Sequence, residues 1–313
     1  MKEYTQTATP ADAGGRLDRW LCRCLPELSR SRIQQLIKSG HVTACGRPVK
    51  AHQKPVAGTA VHISIPDPEA LDLTAEDIPL NVIYEDADII VVNKQAGMVV
   101  HPAAGHYSGT LVNALLGRCR DLPGIGGKMR PGIVHRLDKG TSGALVAAKT
   151  ERAMAGLARQ FKDRAVRKEY LALVWGRPRE TRARIETSIG RSRRDRKKMS
   201  VNPVAGRNAV TNYETVEVFK RLALLRVRIE TGRTHQIRVH LAHLGCPVVG
   251  DCDYGGRRGE LPQEAERPML HAERLAFDHP ASGKRREFVA PLPADMKKLI
   301  GALKHEKKRD KSG

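Results

Sequence analysis

From about residue 80 onward the chain is a succession of short apolar segments, and this pattern restricts the fold more than any other feature. The segments are bounded by turns and read VIY, DIIVVNK, GIVHR, ALVAAK, EYLALVWG, NYETVEVF and LALLRVRIE. Each has the length and the β-branched composition of a strand. Strands outnumber helices and do not alternate with them regularly. This predicts an α+β domain at residues 81–300, with a mixed, largely antiparallel sheet rather than a Rossmann fold.

Two helical stretches interrupt these strands. Thr150 is predicted to cap the first helix, in which Leu157 and Phe161 fall on one apolar face. Thr234 is predicted to cap the second helix, THQIRVHLAHLG. Histidines and cysteines in and after this helix do not have the spacing of a metal site, so we expect no metal there.

The first 66 residues follow a different pattern. An apolar stripe at helical spacing runs from Leu17 to Leu25, and a second amphipathic helix is predicted to stop at Gly40. Short strand-like pieces follow. These elements predict a small α+β module at residues 1–66.

Charge divides the chain further. The segment 67–88 holds eight acidic residues and no Lys or Arg, and we predict that residues 67–80 are an acidic linker, because this charge would repel a polyanion. The whole chain has 55 Lys and Arg against 34 Asp and Glu, a net charge of +21. A surplus of this size favours a polyanionic partner over solubility alone as its explanation. The basic stretch 301–313 is predicted to be a disordered tail.

The location of the protein is also restricted by its composition. The apolar runs are too short to cross a membrane, and six cysteines in 313 residues do not suggest a disulfide framework. We therefore expect a cytoplasmic protein with no membrane partner, and we expect it to be a monomer.

The segment PGIVHRLDKGTSGALVAAKT carries the clearest sign of chemistry. Asp138 is predicted to lie at the end of an apolar strand, beside Arg136 and a Gly-Thr-Ser-Gly turn. A carboxylate fixed there with one open side suits a nucleophile or a base acting on a ligand. An aspartate that only caps the turn is an equally good interpretation of the spacing alone.

Several motifs in the same order resemble those of the RluA family of pseudouridine synthases. HRLDKGTSG at 135–143 is similar to the family signature, and the likeness includes 85–102, 167–176, 230–251 and 270–283. The order GRLDRWL…SRSRIQQLIKSGHVTACGRPV resembles the S-four-like (alpha-L) RNA-binding module. Departures from the usual patterns are Ala44-Cys45 before a turn glycine and Gln95 in place of a proline. Several independent motifs in order are more specific than one short pattern.

The resemblance implies three catalytic residues. Asp138 matches the family carboxylate, and Arg238 in THQIRVH matches the arginine that pairs with it. Tyr170 matches a tyrosine whose ring can stack on the uracil and whose phenol oxygen can help to remove the proton from carbon five. Without the resemblance, Arg238 could be a surface residue and Tyr170 a core residue. Whether Asp138 attacks the sugar, attacks the base or removes the sugar 2′ proton is left open.

The resemblance also implies an RNA substrate. Arg136 matches a residue that enters the stack where the base leaves, and we add His135 and Arg233 as substrate-binding residues. In the N-terminal module the candidate RNA contacts are Arg16, Arg30, Arg32 and Lys38.

The same resemblance implies that the partner is large-subunit ribosomal RNA or a pre-ribosomal particle, and that the target is the loop of helix sixty-nine. Isomerising a uridine needs neither electron transfer nor hydrolysis, so no cofactor is expected. Two alternatives are the same reaction at other ribosomal uridines and a non-catalytic RNA-binding factor for ribosome assembly.

Overall fold

The computed structural model describes residues 2–26, 28, 30–66, 73–102, 107–119, 122, 131–201, 206–255, 260–261 and 264–312. The chain forms two compact units, Met1–Leu71 and Asp72–Gly313. No helix in these ranges has both the length and the apolar character that crossing a membrane requires.

The first unit is an α+β module. Its elements are β1 (Lys2–Thr7), α1 (Leu17–Cys24), α2 (Arg30–Lys38), β2 (Val42–Ala44), β3 (Arg47–Pro48) and β4 (Ala60–Ile65). The strands form an antiparallel sheet in the order β1-β4-β2-β3. Leu17, Trp20 and Leu21 of α1 pack with Ile33 and Leu36 of α2 in one buried core. The two predicted helices are thus present, and their apolar stripes face each other.

The second unit is built on a ten-stranded sheet. Its strands are β5 (Val82–Glu85), β6 (Ile89–Lys94), β7 (Ser142–Ala148), β8 (Arg167–Trp175), β9 (Arg182–Arg191), β10 (Met199–Val201), β11 (Arg207–Val218), β12 (Leu222–Ile229), β13 (Leu270–Asp278) and β14 (Arg285–Val289). The order is β10-β9-β11-β12-β8-β13-β7-β6-β5, and β14 pairs with β13. The pairs are antiparallel except for β13 with β7, which is parallel. This confirms the predicted mixed, largely antiparallel sheet.

The central strands separate two apolar cores. On β6, Ile90 and Val92 belong to one core, and Ile89 and Val91 belong to the other. Such alternation follows from the period of two along a strand. The helices of this unit are α3 (Leu111–Arg118), α4 (Glu151–Lys162), α5 (Gln236–His243) and α6 (Ala294–Ser312). Apolar residues of α3 and α5 join the first core, and those of α4 join the second.

Helix starts differ in how well the sequence predicted them. Thr150 caps α4 as predicted, and its Oγ1 accepts a hydrogen bond from the backbone of Ala153. The prediction that Thr234 caps α5 is wrong, because the cap is His235, which has a left-handed backbone (φ 54°) and no side-chain cap bond. The predicted strand GIVHR is reduced to an isolated bridge between Ile133 and Ala147.

Two predicted boundaries also differ from the structure. Residues 73–80 of the proposed linker are not free, since Leu73 and Leu80 pack on the core of the second unit. The prediction of a disordered tail is wrong over residues 301–312, because α6 continues to Ser312. Leu303 is buried there, and neighbouring lysines of α6 pair with Glu217. Local charge alone had suggested disorder, whereas an apolar contact and ion pairs support the helix.

Candidate active site

A tight loop presents Asp138 at the start of β7. The backbone of Thr141 donates to the Asp138 carbonyl at 3.0 Å, and the backbone of Gly97 donates to the Lys139 carbonyl at 2.8 Å. Gly143 follows at φ 120°, and a Cβ there would lie 2.2 Å from the Ala272 carbonyl oxygen. Only glycine fits so close an approach of β7 to β13. The turn glycine of the motif therefore fixes where the Asp138 loop enters the sheet.

The buried side chain of Lys94 anchors this loop through hydrogen bonds to backbone carbonyls. Its side chain is 2% exposed, and its Nζ donates to the carbonyls of Gln95 (2.8 Å), Met98 (2.9 Å) and Lys139 (3.4 Å). Burial lowers the pKa of Lys94 to about 7, while the charge of Asp138 opposes that shift. Three carbonyl acceptors match the three donors of an ammonium group. Sequence reasoning missed Lys94, although a lysine ending the apolar run IIVVN was a visible signal.

Arg238 lies opposite Asp138 on α5. Its Nη1 is 3.7 Å from Asp138 Oδ2, so the structure brings together the predicted pair. Its shortest contacts go elsewhere, because Nε and Nη2 donate to the two oxygens of Asp251 at 2.6 and 2.7 Å, and Nη2 donates to Asp253 at 2.6 Å. The Tyr254 ring lies 5.0 Å from the guanidinium carbon.

Asp251 and Asp253 hold the guanidinium of Arg238 in place. Burial alone would lower the pKa of Arg238, but the hydrogen bonds and charge of Asp251 raise it above its usual value. The guanidinium is therefore permanently charged and immobile beside Asp138. Asp251 and Asp253 were missed from sequence, although two acids following the apolar stretch CPVVG were a usable signal.

Tyr170 completes a small cavity. It lies on β8 with 7% of its surface exposed. Together with Asp138, Arg238, Ile229 and Leu270 it lines a cavity of about 80 Å³. Burial, and then the charge of Asp138, raise the pKa of Tyr170 above its usual value. Its phenol is therefore neutral near pH 7, and the cavity places one carboxyl group beside a flat ring.

A second cavity, of about 440 Å³, adjoins the first. Arg136, Tyr170 and Arg233 line both cavities. Arg136 is exposed, and the Nε of Arg233 donates to the Asn208 carbonyl at 3.0 Å. These two predicted substrate-binding residues thus border both cavities.

His135 lies in the wall of the larger cavity. Its Nε2 accepts from the backbone of Val146 at 3.1 Å, and its ring stacks on Phe161 at 4.5 Å. Burial lowers the pKa of His135 to about 3, so the ring is neutral. The described contacts of His135 are therefore with the protein itself.

The predicted RNA contacts of the first unit divide into two groups. Arg16 and Arg30 each donate to the fully buried carboxylate of Asp18, with Nε distances of 3.0 Å. Arg32 donates to Gln35 at 3.2 Å, and Lys38 is exposed. Two of the four arginine and lysine candidates are thus anchored by an acidic residue that sequence reasoning did not single out.

Within the described ranges, no group of three or more His, Cys, Asp or Glu side chains is placed to hold a metal ion.

Known proteins match both units. A family model described as RNA pseudouridylate synthase matches residues 88–243, and an S4 domain model matches residues 15–60. The "Uncharacterized RNA pseudouridine synthase YlyB" of Bacillus subtilis is 45% identical over 97% of this chain and 99% of its own length. "Ribosomal large subunit pseudouridine synthase D" of Zymomonas mobilis is 44% identical over 95% of this chain and 96% of its own.

A solved structure shares the architecture of most of this chain. "Human RNA Pseudouridylate Synthase Domain Containing 1" has a TM-score of 0.53 and 28% identity, covering 74% of this chain and 96% of the human chain. Together with the sequence matches, this confirms the pseudouridine synthase fold and the N-terminal RNA-binding module. The chain belongs to the RNA pseudouridine synthase family and is an enzyme of that class.

Proposed function

We propose that this enzyme converts uridines of large-subunit ribosomal RNA to pseudouridine, and that its target lies in the loop of helix sixty-nine. The observation that carries the reaction is the carboxylate of Asp138, open to a cavity that also holds Tyr170 and the fixed guanidinium of Arg238. The ribosomal target is supported by the relative named for the large subunit, which matches nearly the whole length of both chains.

The reaction is an isomerisation in which atoms are only rearranged. The bond between the sugar and base nitrogen one breaks, the base turns, and the sugar bonds to base carbon five. Carbon five gives up its proton and nitrogen one takes up a proton, so the atoms balance. Asp138 is the catalytic residue. It attacks the sugar, attacks the base or removes the sugar 2′ proton, and each of these steps needs an ionised carboxylate. Arg238 places a fixed positive charge 3.7 Å from this carboxylate.

Tyr170 positions the base. Its ring offers a flat apolar surface on which a uracil can stack. Because its phenol is neutral, it serves proton transfer at carbon five through its hydroxyl rather than as a phenolate.

The target must leave its stack to reach this site. The reacting atoms of a stacked uridine are inaccessible, and flipping a base costs a few kcal/mol, least where it is unpaired. A loop is therefore a better substrate than a paired stem. Arg136 is exposed at the border of both cavities, where it can fill the gap that the base leaves.

Two alternatives make different demands on the site. Other ribosomal uridines would need the same catalytic residues and differ only in RNA contacts. A non-catalytic assembly factor would need none of them, and the proximity of Asp138, Tyr170 and Arg238 around one cavity argues against it.

Pseudouridine mapping of ribosomal RNA tests the proposal. A strain lacking this gene should lose modification in the loop of helix sixty-nine. Wild-type protein should restore it, and Asp138→Ala should not. Loss at other uridines would give the enzyme a different target. An unchanged map, or restoration by Asp138→Ala, would refute the proposed function.

A further inference from the structure

The larger cavity beside the catalytic pocket is strongly cationic. Its charged lining residues are Arg136, Lys162, Arg164, Lys168, Arg233 and Glu230. Glu230 accepts hydrogen bonds from Arg184 and from Asn212, both at its Oε1. Five cations against this one carboxylate give the described walls of the cavity a surplus of positive charge.

Lys168 is the most unusual of these cations. Its side chain is 8% exposed, yet its ammonium makes no hydrogen bond or ion pair within the described part of the chain. Its Nζ lies 5.9 Å from the centre of the Phe161 ring. Burial lowers the pKa of Lys168 to about 8, and the charge of Arg164 adds to that shift. Lys168 Nζ is not one of the fully buried polar atoms that lack a partner in the described ranges, so the ammonium opens into the cavity that it lines.

Lys94 shows how this fold satisfies a buried lysine that has a structural role. Three carbonyls surround the Lys94 ammonium, whereas none is bonded to that of Lys168. The ammonium of Lys168 instead opens into the cavity, where a partner from outside the chain can reach it.

Arg164 gives a second, independent indication. It follows α4 with a left-handed backbone, φ 60°, at the place where glycine usually ends a helix. A residue other than glycine there costs roughly 1 kcal/mol. The chain nevertheless has an arginine, which lines the same cavity and makes no ion pair in the described ranges.

The position of this cavity defines its ligand. Lys168 and Tyr170 are two residues apart on β8, so both point to the same face of the sheet. Tyr170 also lines the catalytic pocket, so a nucleotide held there would pass directly beside Lys168. We propose that the 440 Å³ cavity binds a phosphodiester next to the target uridine, with Lys168 contacting its oxygens and Arg164 completing the charge. This inference rests on the proposed RNA substrate.

Binding measurements separate this inference from the reaction. The first probe is uridine 3′,5′-bisphosphate, which carries both neighbouring phosphates but no RNA sequence, and uridine is the reference. Using the full-length protein and calorimetry, we expect the bisphosphate to bind about ten- to hundred-fold more tightly than uridine. Lys168→Met should remove most of this gain and leave the affinity for uridine unchanged.

Two variants serve as matched controls. Lys168→Arg keeps the charge and should retain most of the gain. Lys284→Met loses one charge at an exposed site outside the cavity and should retain all of it. The proposal is overturned if the phosphates add nothing in the wild type, if Lys168→Met keeps the full gain, or if Lys284→Met loses as much.

A substrate change on the unmodified enzyme tests the same contact without any risk to folding. The probe is a stem-loop of helix sixty-nine with a neutral methylphosphonate at either linkage flanking the target. One of the two should weaken binding about ten-fold. Unchanged binding of both contradicts the phosphodiester site, as does inorganic phosphate that binds as tightly as the bisphosphate. Failure of the proposed ribosomal target would leave the bisphosphate result intact.

Discussion

Asp18 in the first unit and Asp138 in the second both face arginines, but they are held in opposite ways. The Asp18 carboxylate is fully buried and accepts hydrogen bonds from Arg16, Arg30 and Gln34 at 2.5 to 3.1 Å. The Asp138 side chain is 20% exposed, and its described arginine contact is 3.7 Å long. One carboxylate is saturated by its partners, and the other keeps its oxygens open.

The difference shows how a fold can keep a carboxylate reactive. Hydrogen bonds from Arg16, the largest influence, lower the pKa of Asp18 and also occupy the oxygens that could react. Near Asp138, Arg238 makes its short hydrogen bonds to Asp251 and Asp253 rather than to Asp138 itself. Arg238 then acts on Asp138 through its charge more than through a tight bond. Stability and reactivity thus depend on different contacts of similar residues.

Asp138→Asn should separate activity from stability most sharply. We expect pseudouridine formation to fall by about four orders of magnitude, because the amide supplies neither a nucleophile nor a base. The free energy of unfolding should change by less than about 0.5 kcal/mol, since no described hydrogen bond to the side chain is lost. Tritium release from base-labelled RNA and urea unfolding measure the two quantities. Retained activity would contradict the role of Asp138.

Asp18→Asn should show the reverse. Removing the buried anion leaves two guanidinium groups facing each other, which should destabilise the first unit by about 3 kcal/mol at pH 7. Trp20 lies in that core and reports its unfolding by fluorescence once the other tryptophan is replaced, as in Trp175→Phe. Catalysis by the folded variant should be retained, and Asp138→Asn is the matched control.

The pH dependence gives Asp18→Asn a second test. The pKa of Asp18 is lower in the folded state than in the unfolded state, where it is about 3.9. Its stabilisation is therefore complete above that value and is lost as pH falls towards the folded pKa. The difference between wild type and variant should be constant from pH 5 to 8 and should shrink below about pH 4. A difference independent of pH would mean that packing, not charge, is responsible.

The predicted catalytic residues and the mixed sheet show what could be predicted from the sequence. Asp138, Tyr170 and Arg238 lie far apart in the chain, yet the structure gathers them around one cavity, as the family resemblance implied. The mixed sheet followed from strands with apolar alternation. Motifs and the two-residue period of strands are local features of the sequence, so they can be recognised without knowing which segments meet.

The remaining contacts depend on which segments meet, and periodicity carries no such information. Nothing around Asp18 in the sequence says that Arg30 will reach it, and nothing around Arg238 says that Asp251 will. Lys94 is similar, because its carbonyl partner at Lys139 is 45 residues away. The helical end of α6 was missed for the same reason, since its partner Glu217 lies on another element.

Asp251→Asn should weaken the charge support of Asp138 without touching the substrate. Losing the bidentate pair frees the guanidinium of Arg238, and we expect kcat to fall by about 30-fold, or roughly 2 kcal/mol. Steady-state kinetics measure kcat, and urea unfolding of the same variant tests whether the loss is only structural. Asp253→Asn is the control, and its half-exposed side chain predicts a smaller loss.

Tyr254→Phe should have the smallest effect, because it removes one hydroxyl and keeps the ring beside Arg238. That hydroxyl contacts His235 Nδ1 at 2.8 Å and accepts from the backbone of Met199 at 2.9 Å. It therefore links the residues around Arg238 to the basic hairpin formed by β9 and β10. Lys198 of this hairpin also donates a hydrogen bond to the Asp253 carbonyl. We expect kcat/KM for RNA to fall about five-fold.

The loss in Tyr254→Phe should lie in KM, and its cause should be visible in the salt dependence. The hairpin carries the run RSRRDRKK, so loosening it should reduce the dependence of RNA affinity on salt concentration. Since the ring and the Asp251 pair remain, kcat should stay within about two-fold of wild type. A fall in kcat with an unchanged KM would contradict this prediction. It would mean that the Tyr254 hydroxyl helps to hold Arg238 beside Asp138 and does not act through RNA binding.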